Sequence, residues 1–241
     1  MRWSRVALLV VFLGGQAAFA GEFIQEIVQP IERTFIPRGY DTNDSVQIVV
    51  EGNFPSACYQ LGRADSQVDK VSKTIDVQLT AYEYDGNCPK IPTRFHHTFL
   101  LGRMPAPGDY EVLEMSTKKN LGELTITTAP LLSPGTDDAL YAPLLDAFLL
   151  ENGNKTELVL RGVYSNSCLT LTETKVRVNR DVVVVLPFAE FRPGRTCSDG
   201  EFPFEKTIPI SETLPKDTSY LLHVRSMGGQ SINKMIHLRP H

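Results

Sequence analysis

Four cysteines, Cys58, Cys88, Cys168 and Cys197, are the residues of this chain best equipped for chemistry. Thiols either oxidise to disulfides or bind a soft metal such as zinc. A zinc site needs four closely gathered nitrogen or sulfur ligands. Here the cysteines come in two widely spaced pairs, with no histidine at ligand spacing. Their offsets are regular: Cys58 and Cys168 are 110 residues apart, and Cys88 and Cys197 are 109 apart. The chain is therefore written twice, with one pair in each copy. Four cysteines allow three pairings, and the repeat selects Cys58–Cys88 with Cys168–Cys197. Each bridge would close a loop of about 30 residues and contribute roughly 3–4 kcal/mol in the chain-entropy account.

The repeat extends beyond the cysteines. Ile48-Val49-Val50-Glu51-Gly52 aligns without a gap against Leu158-Val159-Leu160-Arg161-Gly162. Met104-Pro105 and Tyr110 recur as Leu214-Pro215 and Tyr220. A period of this length is a whole domain, well above the 20–50 residues of a solenoid unit.

No other residues assemble into a reactive pattern. His96 and His97 are adjacent, so on a strand they point to opposite faces and cannot share a metal. His223 and His237 have no glycine-flanked serine or cysteine nucleophile nearby. A triad scattered along the chain is a third reading, because triads assemble in space. Asp41-Thr42-Asn43-Asp44-Ser45 has alternating oxygen side chains that suit either calcium or a turn entering a strand. It lacks the glycine and terminal glutamate of an EF-hand loop, which favours the turn. Asn43-Asp44-Ser45 and Asn154-Lys155-Thr156 fit the glycosylation acceptor pattern, which operates only in a eukaryotic secretory pathway. Tyr82 and Tyr84 alternate onto one face, and strand packing is expected of them before a sugar platform. No catalytic, cofactor-binding or metal-binding residues are assigned.

Residues 1–20 read as a cleavable export signal. Arg2 and Arg5 precede the apolar stretch Val6–Leu13, and Ala18-Phe19-Ala20 supplies the small-residue cleavage site. That stretch is shorter than the ~20 residues needed to span a bilayer. Cleavage would leave Gly21 first, with 22 Lys+Arg against 28 Asp+Glu and a net charge of −6. With no basic run, nucleic acid and anionic membrane surfaces are poor partners. The only tryptophan, Trp3, leaves with the signal.

Both copies consist of short alternating runs. Val46, Ile48 and Val50, then Ile75, Val77 and Leu79, alternate with their neighbours as half-buried strands do. Glu157–Arg161, Val182–Leu186, Tyr220–Val224 and Lys234–Leu238 are the counterparts in the second copy. Pro/Gly clusters punctuate these runs at roughly ten-residue intervals, the mark of an all-β sandwich. The copies divide within Ala129–Asp138, at Pro130, Pro134 and Gly135. Ala139–Glu151 reads as an opening strand in preference to a short helix. The first copy carries three extra residues near Arg38–Asp44. Each cysteine pair flanks a predicted hairpin, so the bridge should clamp the hairpin's open end or link it to the adjoining loop, and need not cross the core.

The Leu-Pro-x-x-x-x-Tyr segment (Leu214 to Tyr220, twinned by Met104 to Tyr110) resembles the corner before the sixth strand of immunoglobulin-like and fibronectin type III-like modules. The resemblance implies two tandem immunoglobulin-like β-sandwich domains, residues 21–128 and 129–241, in the manner of exported bacterial repeats. It implies a fold and no shared activity.

One difference between the copies points to a surface. Asp76 and Gln78 face outward in the first copy, and Val183 and Val185 are aligned with them in the second. A strand apolar on both faces needs cover on both. The sister domain, the Leu140–Leu150 segment or a partner protein would supply it. The expected function is exported, non-enzymatic binding or scaffolding in a periplasm or at a cell surface, with another exported or envelope protein as a possible partner. The alternative is inhibition of an exported protease through a disulfide-braced loop, Asp85–Pro92 or Pro193–Glu201.

Overall fold

The computed structural model describes residues 23–130, 137–152, 155–192, 196–210 and 214–238. The expected export signal and most of the expected boundary turn lie outside these residues. The described chain is built of strands. Nine come first: β1 (Phe23–Gln29), β2 (Arg33–Phe35), β3 (Tyr40–Asp41), β4 (Ser45–Phe54), β5 (Tyr59–Asp69), β6 (Thr74–Tyr84), β7 (Thr93–Arg103), β8 (Gly108–Glu114) and β9 (Asn120–Thr127). Seven follow: β10 (Leu144–Asn152), β11 (Lys155–Asn166), β12 (Leu169–Asn179), β13 (Val182–Phe191), β14 (Asp199–Pro209), β15 (Thr218–Ser226) and β16 (Gln230–Leu238). Of Ala139–Glu151, the part from Leu144 on enters the fold as strand β10, preceded by an isolated bridge at Tyr141, and none of it is helical.

The same pairing order occurs in both halves. The sheet β2-β4-β7 corresponds to β10-β11-β14, and β5-β6-β8-β9 corresponds to β12-β13-β15-β16. In each half one contact is parallel, β6 with β8 and β13 with β15. The architecture is a sandwich of the immunoglobulin kind, with a parallel step that purely antiparallel sheets lack. The first half adds β1 along β6 and the short β3 along β9.

Alternation places one set of side chains between the two sheets of each half. Val46, Ile48 and Val50 meet Ile75, Val77, Leu79 and Val112 in the first core. Leu158 and Leu160 meet Val183, Val185, Leu222 and Val224 in the second. Two aligned glycines show how tight this is. A Cβ on Gly52 would sit 2.6 Å from the Phe95 ring, and one on Gly162 would sit 2.6 Å from the Phe204 ring. Either is closer than real Cβ contacts come, so ring and strand approach closely only because no side chain intervenes.

The tyrosine corners form as the resemblance implies. Tyr110 donates its hydroxyl to the carbonyl of Ala106 at 2.7 Å, and Tyr220 donates to that of Pro215 at 3.1 Å. Both disulfides are present with the expected pairing. Each closes the open end of a hairpin, β5–β6 or β12–β13, outside the apolar core.

The two sandwiches meet face to face. Phe35 and Val49, on the outer face of β2-β4-β7, pack against Val182, Val184 and Leu221 of the second half. Four sheets are therefore stacked, with an apolar layer in each sandwich and a third between them. The expected outward pair needs correction: Val183 and Val185 belong to the second core, and the outer face is Val182 and Val184. The cause is an offset wrong by one: Val183 and Val185 occupy the places of Ile75 and Val77, not of Asp76 and Gln78. Four residues separate β5 from β6, but only two separate β12 from β13. The offset therefore drops from 110 to 108, whereas pairing Asp76 with Val183 takes it to 107, and an error of one residue moves a strand's whole side-chain set to the opposite face.

Candidate functional site

The seam between the sandwiches holds the densest group of buried polar side chains. Its first-half contribution comes from β3, the β3–β4 turn and β4: Tyr40, Asn43, Asp44 and Gln47. This is the stretch where the first copy carries extra residues. Its second-half contribution comes from alternation along β15 and β16. Tyr220, Leu222 and Val224 point into the second core, so His223 and Arg225 must point the other way, toward Tyr40.

His223 is fully buried. Its Nε2 lies 3.2 Å from the Tyr40 hydroxyl, and its Nδ1 lies 2.8 Å from Oδ1 of Asn233. Asn233 in turn donates from Nδ2 to Oε1 of Gln47 at 2.7 Å. Burial pushes the imidazole's pKa down to about 4, so the ring is neutral at physiological pH. A neutral ring facing an amide oxygen carries its hydrogen on Nδ1, which leaves Nε2 as an acceptor sharing the Tyr40 hydroxyl with the Gln47 carbonyl, also at 3.2 Å. Burial also raises the Tyr40 phenol well above its ordinary value, so that hydroxyl keeps its proton.

Arg225 lies beside them. Nη1 donates to Oδ1 of Asp44 at 2.8 Å, and Nη2 donates to the carbonyl of Gly39 at 2.7 Å. The guanidinium also sits 4.8 Å from the centre of the Tyr40 ring. Both partners of the ion pair are almost wholly buried, with side chains 7% and 3% exposed. Burial pushes the Asp44 carboxyl up, against the pull of Arg225. Asp137 is raised by burial as well, and its Oδ2 accepts the Gly229 amide at 3.0 Å. At the seam's rim Arg33 bridges Glu51 of its own sheet and Asp181 of the second half.

The oxygen-rich run Asp41–Ser45 is therefore a turn that organises the seam. Asp41 Oδ1 accepts the Asn43 amide, Asp44 Oδ2 accepts the Asp41 amide, and Asp44 Oδ1 takes Arg225. Among the described residues no group of three His, Cys, Asp or Glu is placed to hold a metal ion. Asn43, one of the two acceptor-pattern asparagines, is buried and donates to Asp138 at 2.7 Å. The other, Asn154, lies outside the described residues.

The remaining candidates lie away from the seam's polar cluster. His96 is exposed, while His97 is half-buried with its ring edge against Phe99 at 5.0 Å between centres. His237 is exposed on β16, where the fold brings its Nδ1 to 3.3 Å from the Ser219 hydroxyl and its Nε2 to 3.6 Å from Oδ1 of Asp217, an open surface group with no cleft among the described residues. Tyr82 and Tyr84 both take the ring of Phe23 edge-on, so they are packing residues beneath β1. The braced loop before β7 projects Ile91, 67% exposed, between Pro89 and Pro92. Residues 193–195 of the second braced loop lie outside the described residues.

Residues 48–113, from β4 to β8 of the first sandwich, match the family model of the ORF11 beta-sandwich domain. That stretch is similar to the family in fold. No curated protein and no solved structure matches the chain.

Sequence reasoning missed the role of His223 and Arg225. The available signal was indirect: both fall on the face of β15 opposite Tyr220, Leu222 and Val224. A polar pair on a strand whose neighbour is apolar on both sides marks a face that is covered.

Proposed function

We propose that this chain is an exported, non-enzymatic binding or scaffolding protein of the periplasm or cell surface, whose two sandwiches act as one rigid body. The observation that carries the reading is the seam. Linked domains ordinarily move unless their interface is large and apolar. This interface combines an apolar layer with a buried Arg225–Asp44 pair and a fully bonded histidine. The histidine best placed in a polar cluster is thus engaged in holding the sandwiches together. Two disulfides favour an oxidising compartment. No helix among the described residues is long and apolar enough to cross a membrane.

Expression of the full chain in a bacterial host, with fractionation and thiol labelling, tests the export reading. The expected product starts at Gly21, leaves the cytoplasm and has no labelled cysteine. A retained chain with free thiols would overturn it. Turnover in a broad hydrolase screen, abolished by His96→Ala, His97→Ala or His237→Ala, would overturn the non-enzymatic part.

A second reading, protease inhibition, is favoured by the geometry at Ile91. The residue stands out from a loop pinned by Cys58–Cys88 and flanked by prolines, so little order is lost when a protease cleft closes on it. A panel of exported proteases left uninhibited at micromolar protein would remove this reading.

A further inference from the structure

The same position is treated differently in the two sandwiches. In the first, Phe54 at the end of β4 stacks on Phe95 of β7 at 4.5 Å and on Tyr59 of β5 at 6.4 Å. Three rings close that side between the two sheets. In the second, Tyr164 and Phe204 keep the equivalent stack at 4.5 Å, but Leu169 stands where Tyr59 would be. The third ring is missing, and a cleft of about 490 Å³ lies beside the pair. That volume falls within the range of ordinary ligand sites.

Two features say what the cleft would accept. The first is its walls. Five consecutive residues of β12, Thr170–Thr174, line it, and three consecutive residues of β14, Phe204–Lys206, line it opposite. Successive side chains of a strand point to opposite faces, so unbroken runs mean the cleft follows the edges of both strands. β12 and β14 are the terminal strands of their sheets. Terminal strands offer unpaired backbone N–H and C=O groups to an added strand. The second feature is Tyr164. It is only 5% exposed, and its hydroxyl has no hydrogen-bond partner. Buried tyrosine hydroxyls ordinarily have one. In the first copy the residue is phenylalanine and the question does not arise.

We propose that the cleft between the free edges of β12 and β14 takes an extended peptide segment of a partner protein, whose backbone carbonyl accepts the Tyr164 hydroxyl. The lined stretch of β12 spans about 17 Å at strand rise, which sets a core of about five residues. A bulge at Thr172 sets Thr170, opposite Glu190, and Thr174, opposite Pro187, on different faces of β12, while Phe204 and Ile208 give the opposite side of the cleft apolar surface. The peptide would therefore set apolar side chains toward Phe204 and Ile208 and its backbone along the edge of β12. This site rests on the binding reading above. The export and turnover results stand whether or not a peptide binds, so a failed selection would remove the cleft alone.

The test is a randomised heptapeptide library selected on oxidised protein spanning Gly21–His241 and counter-selected on Thr172→Trp, which fills the cleft from an exposed position. Both proteins are first matched for unfolding midpoint. Individual hits are then measured by fluorescence anisotropy and amide hydrogen exchange. The expected hits bind saturably and slow exchange at residues 170–174 and 204–206. They bind about five- to tenfold more weakly to Tyr164→Phe, the loss of one buried hydrogen bond. The same peptides N-methylated at alternate residues should lose binding. No enrichment over the Thr172→Trp protein would overturn the proposal. So would hits indifferent to both Tyr164→Phe and N-methylation, or selective binding from a glycan array without any peptide.

Discussion

Tyr40 and His223 lie 183 residues apart in the chain and 3.2 Å apart across the seam. With its pKa near 4 instead of 6.5, His223 stays neutral in the folded protein while the unfolded chain takes up a proton. Stability should therefore be highest above pH 6.5 and fall as pH drops toward about 4. The full difference is on the order of 3 kcal/mol. The groups facing the ring are Tyr40, Gln47, Asn233 and Arg225, and only Arg225 is charged. Asp41, Asp44 and Asp137 carry raised pKa values, so their contribution runs the other way at the acid end. Urea unfolding at a series of pH values, on wild type and His223→Leu, separates the two. The wild-type decline between pH 6.5 and 4 should flatten in the variant, and equal slopes would show that His223 is not the titrating group.

Arg225 and Asp44 make a second testable pair. Removing one member of a buried pair leaves the other charge unsolvated, a loss of about 3–5 kcal/mol. Asp44→Ala should destabilise by that amount. Arg225→Met with Asp44→Leu should recover part of it, since apolar replacements often match a buried pair. A double-mutant cycle in urea measures the coupling. Additive losses would mean the pair contributes nothing beyond its separate contacts.

Much of the sandwich was legible before the seam was. Cysteine spacing selects the disulfides, and Pro/Gly punctuation with two-residue alternation marks most strands. The Leu-Pro-x-x-x-x-Tyr twin locates both corners. These are local signals, or signals repeated at a fixed offset. The seam is neither. It joins Asp44 to Arg225 and Gln47 to Asn233 across nearly the whole chain, and no sequence period connects them. The outer face of β13 was misplaced by one residue because the shorter β12–β13 turn lowers the offset between the copies to 108, and the sequence pairing overshot to 107. The cleft was hidden for a different reason. Its signal is the exchange of Phe54 for Tyr164 and of Tyr59 for Leu169, which reads as conservative until the rings are seen to close a sheet edge.

The tyrosine corners should contribute unequally. Tyr220 makes one backbone hydrogen bond, to Pro215. Tyr110 bonds Ala106 and also receives Lys73 Nζ at 3.3 Å, with the same ammonium 4.7 Å from its ring centre. Tyr220→Phe should cost about 1 kcal/mol, the net value of a typical hydrogen bond, and Tyr110→Phe somewhat more. Chemical denaturation of the two variants would settle the order. A larger loss at Tyr220 would mean that the corner bond, not the lysine contact, dominates.

The seam and the second core can be separated by adjacent substitutions on one strand. Val183 and Val184 are both buried, yet Val183 faces Leu222 and Val224, while Val184 faces Phe35 and Val49. A carboxylate at either position lacks a partner, and burying one unpaired is costly enough to drive rearrangement. At Val184 the sandwiches can part and admit water, since each keeps its own core and disulfide. Val184→Asp should therefore yield two unfolding transitions in calorimetry, with the corner tyrosines of both halves still protected from solvent. At Val183 no such escape exists. Val183→Asp should unfold the second sandwich while the first retains a cooperative transition. If the two variants behaved alike, the seam and the core would be a single cooperative unit, and the division between them drawn from the strand's two faces would be wrong.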